Sequence, residues 1–318
     1  MDGEQSAGGT IGETKPQLGF LGMGAMGSRL ALRLLQAGYP VVVYDRTREK
    51  TRPLAQQGAQ VADSARDVAA QSDIVFSCVA NDAAVASVLQ GPEGAFAGAR
   101  PGAIFIEMST ILPETSRAVA ADALARGMQL LDAAISGSTP QVESGTITLL
   151  VGGDYATYER CAPILTSLTE RCFHMGPSGM GTTMKLVVNT LLGVGIQSLA
   201  EALALGEKAG LEKGRLLDVL AQTAVISPRQ KLALENVRSE QYPVTFPLQL
   251  MSKDFGLIMR EANTLHVPMP VTGAAEQLSG VELGSGDEGD ITASIRWMED
   301  LAGVSRADNI AGADDRQA

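Results

Sequence analysis

The chain has 318 residues, with 25 Lys and Arg against 36 Asp and Glu and a formal net charge of −11. That balance gives no reason to expect nucleic acid or an anionic membrane surface as a partner, and the length suffices for two domains. Two histidines, His174 and His266, leave no basis for a Ser-His-Asp triad or a His-ligated metal. Cys78, Cys161 and Cys172 have neither disulfide nor zinc spacing, so they read as buried, reduced and structural, and no metal is expected.

Residues 1–16 are polar and glycine-rich, without the basic start and apolar core of a signal peptide, and are expected to be a disordered tail. Leu18–Leu21 then reads as a buried strand that breaks into Gly22-Met23-Gly24-Ala25-Met26-Gly27 and continues as a helix. Leu30, Leu34 and Leu35 fall on one face of that helix, and Val41–Tyr44 forms a second strand that closes with Asp45. A strand, a Gly-x-Gly-x-x-Gly turn, a helix and a strand tipped by an acid suit a dinucleotide. Gly22 permits the tight turn, Gly24 lets backbone approach a pyrophosphate, and Gly27 lets helix and strand pack closely. The helix N-terminus offers N–H groups to phosphate, and Asp45 stands where a ribose hydroxyl would be bound.

The alternation continues. A helix runs from Arg46 towards Gly58, Val61 is a short extended piece, and Ser64–Gln71 is a helix. Ile74–Val79 and Ala103–Met108 are strands, separated by a helix from Ala83 to Leu89. Pro113 starts a helix through Arg126, and Gln129–Asp132, Ile147–Val151 and Cys172–His174 complete the strands. This pattern predicts an α/β, Rossmann-type doubly wound and mainly parallel sheet. Ligands on such sheets lie at the carboxyl ends of the strands. That rule gathers the glycine turn, Asp45, Val79 to Asn81, Ser109-Thr110 and the loop after Asp132 onto one rim.

Beyond residue 177 the strand signal disappears. A glycine-rich hinge, Gly176 to Gly181, leads to a helix over Thr182–Lys208. Further helices are expected near Leu211–Ala221, Arg229–Val237, Leu248–Leu265, Val271–Leu283 and Ile291–Leu301. The most apolar window, Met184–Leu205, carries Lys185, Asn189, Gln197 and Glu201, which fits a buried helix rather than a membrane span. The expected organisation is therefore a tail (1–16), a dinucleotide-binding domain (17–177), an all-α domain for substrate and oligomer contacts (178–303) and a frayed tail (304–318).

Two places carry candidate chemistry. The segment from Asp132 through Ser136, Gly137 and Ser138 ends a strand in small residues with hydroxyls and N–H groups. It reads equally as an anion-binding loop and as a tight turn. Lys185 and Asn189 are spaced i, i+4 on one helix face. A lysine on an apolar helix is ordinarily a snorkelling edge residue. Its place just after the hinge, beside a rim without histidine, favours instead a partly desolvated amine able to move a proton to or from a carbonyl oxygen.

The segments GFLGMGAMG, DAAISGSTPQVESGTITLLVGG, GPSGMGTTMKLVVN and the late Lys253-Asp254 resemble, in that order, the motifs of the β-hydroxyacid dehydrogenases. That family includes 3-hydroxyisobutyrate dehydrogenase and the glyoxylate/succinic semialdehyde reductases. The resemblance spans about residues 17 to 303. It implies Lys185 as the catalytic acid/base, with Asn189 orienting substrate and Ser136, Gly137 and Ser138 holding the substrate's anionic end. It also implies Thr110 close to nicotinamide and substrate, and Lys253 reaching the cofactor. A small carboxylate substrate, a homodimer or homotetramer and an NAD(P)H cofactor follow from the resemblance, and a cytoplasmic location is expected.

Two features depart from the usual pattern. Ser138-Thr139-Pro140-Gln141 replaces a more glycine-rich run. At the ribose site, Arg46-Thr47 would suit a 2′-phosphate whereas Asp45 would accept from a free 2′-hydroxyl and repel phosphate; the balance favours NADP slightly. Imine reductases share the architecture but usually lack the lysine. Non-catalytic NADP-binding scaffolds tend to lose it and gain an accessory domain.

Overall fold

The computed structural model describes residues 15–286 and 289–304. Apart from Lys15, Pro16 and Val304, the expected tails lie outside the described residues. The first half alternates strands and helices. β1 (Leu18–Leu21), α1 (Ala25–Gln36) and β2 (Val41–Tyr44) lead through a 3-10 turn, Arg48–Thr51, to α2 (Arg52–Ala55) and β3 (Gln60–Val61). There follow α3 (Ala65–Ala70), β4 (Ile74–Ser77), α4 (Asp82–Leu89), α5 (Ala95–Gly98), β5 (Ile104–Glu107) and α6 (Pro113–Ala125). β6 (Gln129–Ser136), α7 (Thr139–Ser144), β7 (Thr148–Gly152), α8 (Tyr155–Leu168) and β8 (Arg171–Gly176) complete it.

The eight strands form one sheet in the order β3-β2-β1-β4-β5-β6-β7-β8. Every pairing is parallel except β6 with β7, where Asp132 to Ser136 run antiparallel to Gly152 to Thr148. A parallel return needs a crossover of a dozen or more residues. The β6–β7 connection has room only for the short α7, so the chain reverses there. β1, β4 and β5 are buried along their whole length, which is why they read as unbroken apolar runs. Successive residues serve opposite faces: Phe20 stacks on Phe76 at 5.7 Å in the core beneath α1 and α8, while Leu21 and Phe105 face the core beneath α3 and α6.

From Met180 the chain is helical. α9 (Met180–Lys208) is followed by α10 (Lys213–Gln222), α11 (Pro228–Ser239), α12 (Leu248–Thr264), α13 (Pro270–Gly284), a 3-10 turn at Ile291–Ala293 and α14 (Ser294–Leu301). α9 is long and apolar enough to cross a membrane by length and composition. It is a core helix here, burying Leu186, Ile196, Leu199 and Leu203 against α12, α13 and α14. Asp290 pins the loop before α12 to the 3-10 turn that precedes α14. Its carboxylate accepts from the N–H groups of Thr245, Phe246 and Thr292 at 2.8 to 3.0 Å and pairs with Arg229 at 3.1 Å.

Three helices escape the sequence reading. α5 is a single turn, α7 begins with Thr-Pro in what reads as a loop, and α8 carries Pro163 inside it. β6 also runs on to Ser136 instead of stopping at Asp132, because the antiparallel β7 extends its pairing.

Candidate active site

The glycine turn is built as its spacing demands. Gly22 has φ +95°, and a Cβ there would stand 2.4 Å from the carbonyl oxygen of Cys78. A Cβ on Gly27 would lie 2.0 Å from the Gly22 carbonyl oxygen, so α1 rests directly on the turn. Gly24 is different: a Cβ there meets nothing within 4 Å, leaving open space over the N-terminus of α1. That helix start has no side-chain cap and no acid in its first turn, so its N–H groups and positive dipole end face outward. A pyrophosphate fits this cradle.

Around the cradle the sequence-predicted residues converge in part. Asp45 accepts from Met23 N–H at 2.7 Å and from Thr47 N–H at 2.8 Å, which ties the end of β2 to the glycine turn. Arg46 and Thr47 are exposed beside it. Val79 N–H donates to Ser109 Oγ at 2.8 Å, joining the ends of β4 and β5. Asn81 caps α4 by accepting from Ala84 N–H at 2.9 Å.

Under this rim lies Glu107, 1% exposed, with Oε1 accepting from Ser109 N–H at 2.8 Å and Oε2 without a hydrogen-bond partner among the described residues. Burial pushes its pKa up to about 8, against the Ser109 hydrogen bonds that favour the ionised form. A carboxyl raised on folding holds its proton in the native state while the unfolded chain has lost it. Wild-type stability should therefore fall as pH rises from about 4.5 to about 8. Glu107→Gln removes that slope. The variant's stability relative to wild type should grow by roughly 1 kcal/mol per pH unit across this window and then level off, as read by urea unfolding.

The substrate-loop residues are arranged more tightly than their composition implies. Ser136 ends β6, and Gly137 has φ +146°. Ser138 is less available than the sequence reading supposed: its N–H and Oγ both donate to Gln141 Oε1, at 2.9 and 3.1 Å, in the cap of α7. α7 is also fastened to the cofactor helix, since Arg29 pairs with Glu143 at 2.6 Å and Arg33 donates to the Glu143 carbonyl at 3.0 Å.

α9 delivers Lys185 to the other side of the crevice. Its start abuts the sheet: Asp132, wholly buried in β6, accepts from Gly179 N–H at 2.7 Å and from Thr182 N–H at 2.8 Å. Lys185 is 7% exposed and makes no hydrogen bond or ion pair to the described residues. Burial is the main influence on it, lowering its pKa from 10.5 to about 8. Asp254 pulls the other way and Lys253 adds to the lowering.

One turn on, Asn189 is fully buried and donates from Nδ2 to Asp254 Oδ2 at 2.6 Å, leaving its Oδ1 as an acceptor unpartnered among the described residues. Lys253 pairs with Asp254 at 3.0 Å and donates to the Thr110 carbonyl at 2.8 Å, bridging α12 and the end of β5. Thr110, Lys253, Asp254, Asn189 and Lys185 thus gather in one place. Asp254 is the member that sequence reasoning gave no role. Its adjacency to Lys253 was visible, but its contact with Asn189, 65 positions away, was not.

The model of the NAD binding domain of 6-phosphogluconate dehydrogenase matches residues 17–176, and the model of the NAD-binding region of NADP-dependent 3-hydroxyisobutyrate dehydrogenase matches residues 179–298. The chain is 34% identical over 296 residues to 2-(hydroxymethyl)glutarate dehydrogenase of Eubacterium barkeri, covering 92% of this chain and 98% of that one. The chain belongs to the β-hydroxyacid dehydrogenase family. Within that family it is also 35% identical over 284 residues to glyoxylate/succinic semialdehyde reductase 2 of Arabidopsis thaliana, covering 89% of this chain and 79% of that protein. The structure of Mycobacterium tuberculosis 3-hydroxyisobutyrate dehydrogenase with L-serine superposes with a TM-score of 0.83 at 28% identity, covering 89% of this chain and 99% of that one. As a β-hydroxyacid dehydrogenase the chain is an NAD(P)-dependent oxidoreductase.

Proposed function

We propose that the chain interconverts a small β-hydroxy acid and its semialdehyde or keto form, with Lys185 as general acid and base. The observation that carries this is the state of Lys185. It is a buried amine with no hydrogen bond or ion pair among the described residues and a pKa near 8, on the first turns of a helix that abuts the sheet carrying the glycine turn. When bound, the nicotinamide ring supplies or accepts the hydride at its C4. Lys185 then gives its proton to the oxygen of the carbonyl being reduced, or takes the hydroxyl proton in oxidation. Asn189 Oδ1 accepts from the substrate hydroxyl or from the lysine. Ser136 and Gly137 offer donors to the carboxylate, and Thr110 with Lys253 closes the side nearest the cofactor. The working division is a dinucleotide-binding domain over 17–177 and a helical domain over 178–303.

The cofactor reading favours NADP. The Asp45 carboxylate is turned towards two backbone N–H groups, and Arg46 stands exposed next to it. Arg46→Ala should raise the KM for NADPH about tenfold, the worth of a lost charge-assisted contact. The KM for NADH should change less than about twofold. Equal effects on both cofactors would count against a 2′-phosphate contact. Exposed Val187, Leu191 and Leu205 on the outward side of α9 favour a second copy of the chain as partner. Three unpaired cysteines favour a reducing compartment such as the cytoplasm.

The test is turnover. Purified protein with NADPH or NADH should reduce glyoxylate and short semialdehyde acids, and should prefer them to uncharged aldehydes of the same length. Inertness toward every carboxylate, or turnover confined to cyclic imines, would refute the proposal.

A further inference from the structure

Asp132 stands out among the buried charges of the sheet. It lies at the centre of β6 with no exposure, followed by Ala133, Ala134 and Ile135, all buried. An ionised carboxylate in such surroundings is costly unless hydrogen bonds compensate it. Among the described residues no lysine or arginine pairs with it. Its side-chain partners are the first turn of α9: Gly179 N–H on Oδ1 at 2.7 Å, and Thr182 N–H and Oγ1 on Oδ2 at 2.8 and 3.2 Å. These are the orphan donors of a helix N-terminus, and the helix dipole favours a negative charge at that end.

The backbone has been thinned to let the two elements meet. A Cβ on Gly181 would stand 2.3 Å from the Leu150 carbonyl oxygen and 2.7 Å from that of Asp132. A Cβ on Gly152 would stand 2.5 Å from Asp132 Oδ1. The start of α9 is therefore fixed to β6 and β7 in direct backbone contact. Lys185 follows Thr182 by three residues, and each helical residue turns about 100° and rises about 1.5 Å. Fixing the N–H groups of Gly179 and Thr182 fixes the azimuth and height of Lys185. The charged groups that act on the amine, Asp254 and Lys253, come from α12 instead, so they do not set its place relative to the sheet.

We propose that Asp132 is a positioning residue: its carboxylate seats the first turn of α9 on the sheet and so sets where the Lys185 amine stands relative to the cofactor rim. The assignment rests on the acid/base role given to Lys185 above. A structural clasp alone would hold the two halves together without governing the amine, and the two cases separate experimentally.

Asp132→Asn keeps the shape, but turns one acceptor into an NH2 group facing a backbone N–H. The titration of Lys185 can be followed without turnover, from the pH dependence of its reductive methylation located by mass spectrometry. Water admitted to a loosened α9 should move that titration up by at least about one pH unit, from about 8 towards 10.5. In the same variant kcat should fall about tenfold or more while the KM for cofactor stays within about twofold. Gly181→Ala, whose methyl pries open the same contact while leaving the Asp132 carboxylate in the sequence, should move both readings in the same direction and serves if Asp132→Asn does not fold. Asp290→Asn, a clasp of equal burial in the helical half, should lower Tm and leave the Lys185 titration in place. An unmoved titration in Asp132→Asn and Gly181→Ala, whatever their Tm, overturns the proposal. A wild-type chain inert toward every substrate would refute the dehydrogenase chemistry, while the titration would still decide whether Asp132 places the amine.

Discussion

Lys185→Ala is expected to lower kcat by about a thousandfold, the middle of the range for a general acid or base, while NADPH binding measured by fluorescence stays within about twofold. The lysine is buried but lies outside the glycine cradle, so its loss should spare the cofactor. The pH dependence carries the sign of the role. Carbonyl reduction needs the ammonium form, so kcat for reduction should be flat at low pH and decline above about 8. Oxidation of the hydroxy acid needs the free amine, so its kcat should climb through the same pH and level off above it. Profiles for the two directions that do not mirror each other near pH 8 would assign the proton to another group, as would retained turnover in Lys185→Ala.

The glycine turn gives the second large effect, and it separates binding from folding. In Gly27→Ala the new methyl must displace the Gly22 backbone carbonyl, 2.0 Å away, which no rotamer change can relieve. Overpacking against backbone of this kind costs about 3 kcal/mol, and the displaced carbonyl disturbs the turn itself. Both Tm and dinucleotide affinity should collapse. In Gly24→Ala the methyl points into open space above α1, so the apo protein should melt within about 1 °C of wild type. The methyl then occupies the approach of the pyrophosphate to the helix N-terminus, and affinity should fall about a hundredfold. Calorimetry of the two variants with and without NADP reads both quantities. If Gly24→Ala binds normally, the pyrophosphate does not lie over α1.

Much of the α/β half was legible from residue order. β1 and β2 fall within the expected bounds because runs such as Val41–Tyr44 are apolar, flanked by polar or turn residues and buried on both faces. The glycine roles followed from spacing, since backbone conformation is a local property. α7 and α8 were not legible. Thr139-Pro140 resembles a loop opening until Ser138 and Gln141 are seen capping one another, and Pro163 interrupts the α8 pattern without ending the helix. The reversal between β6 and β7 left no trace in periodicity, because both strands are buried almost along their whole length, as the parallel strands are.

By itself, the sequence determined the order of the strands and of most helices, the dinucleotide turn and a lysine placed one turn into the first helix of the second half. Those depend on local φ/ψ preference and on which residues avoid water, both written in neighbouring positions. Only the tertiary structure decided the state of that lysine and the partners around it: Asp132 reaching Gly179 and Thr182, Asn189 meeting Asp254, and Lys253 meeting Thr110. Desolvation and hydrogen bonding act over a few ångströms of space. Residues 47 to 143 positions apart enter that range only when sheet and helices have packed.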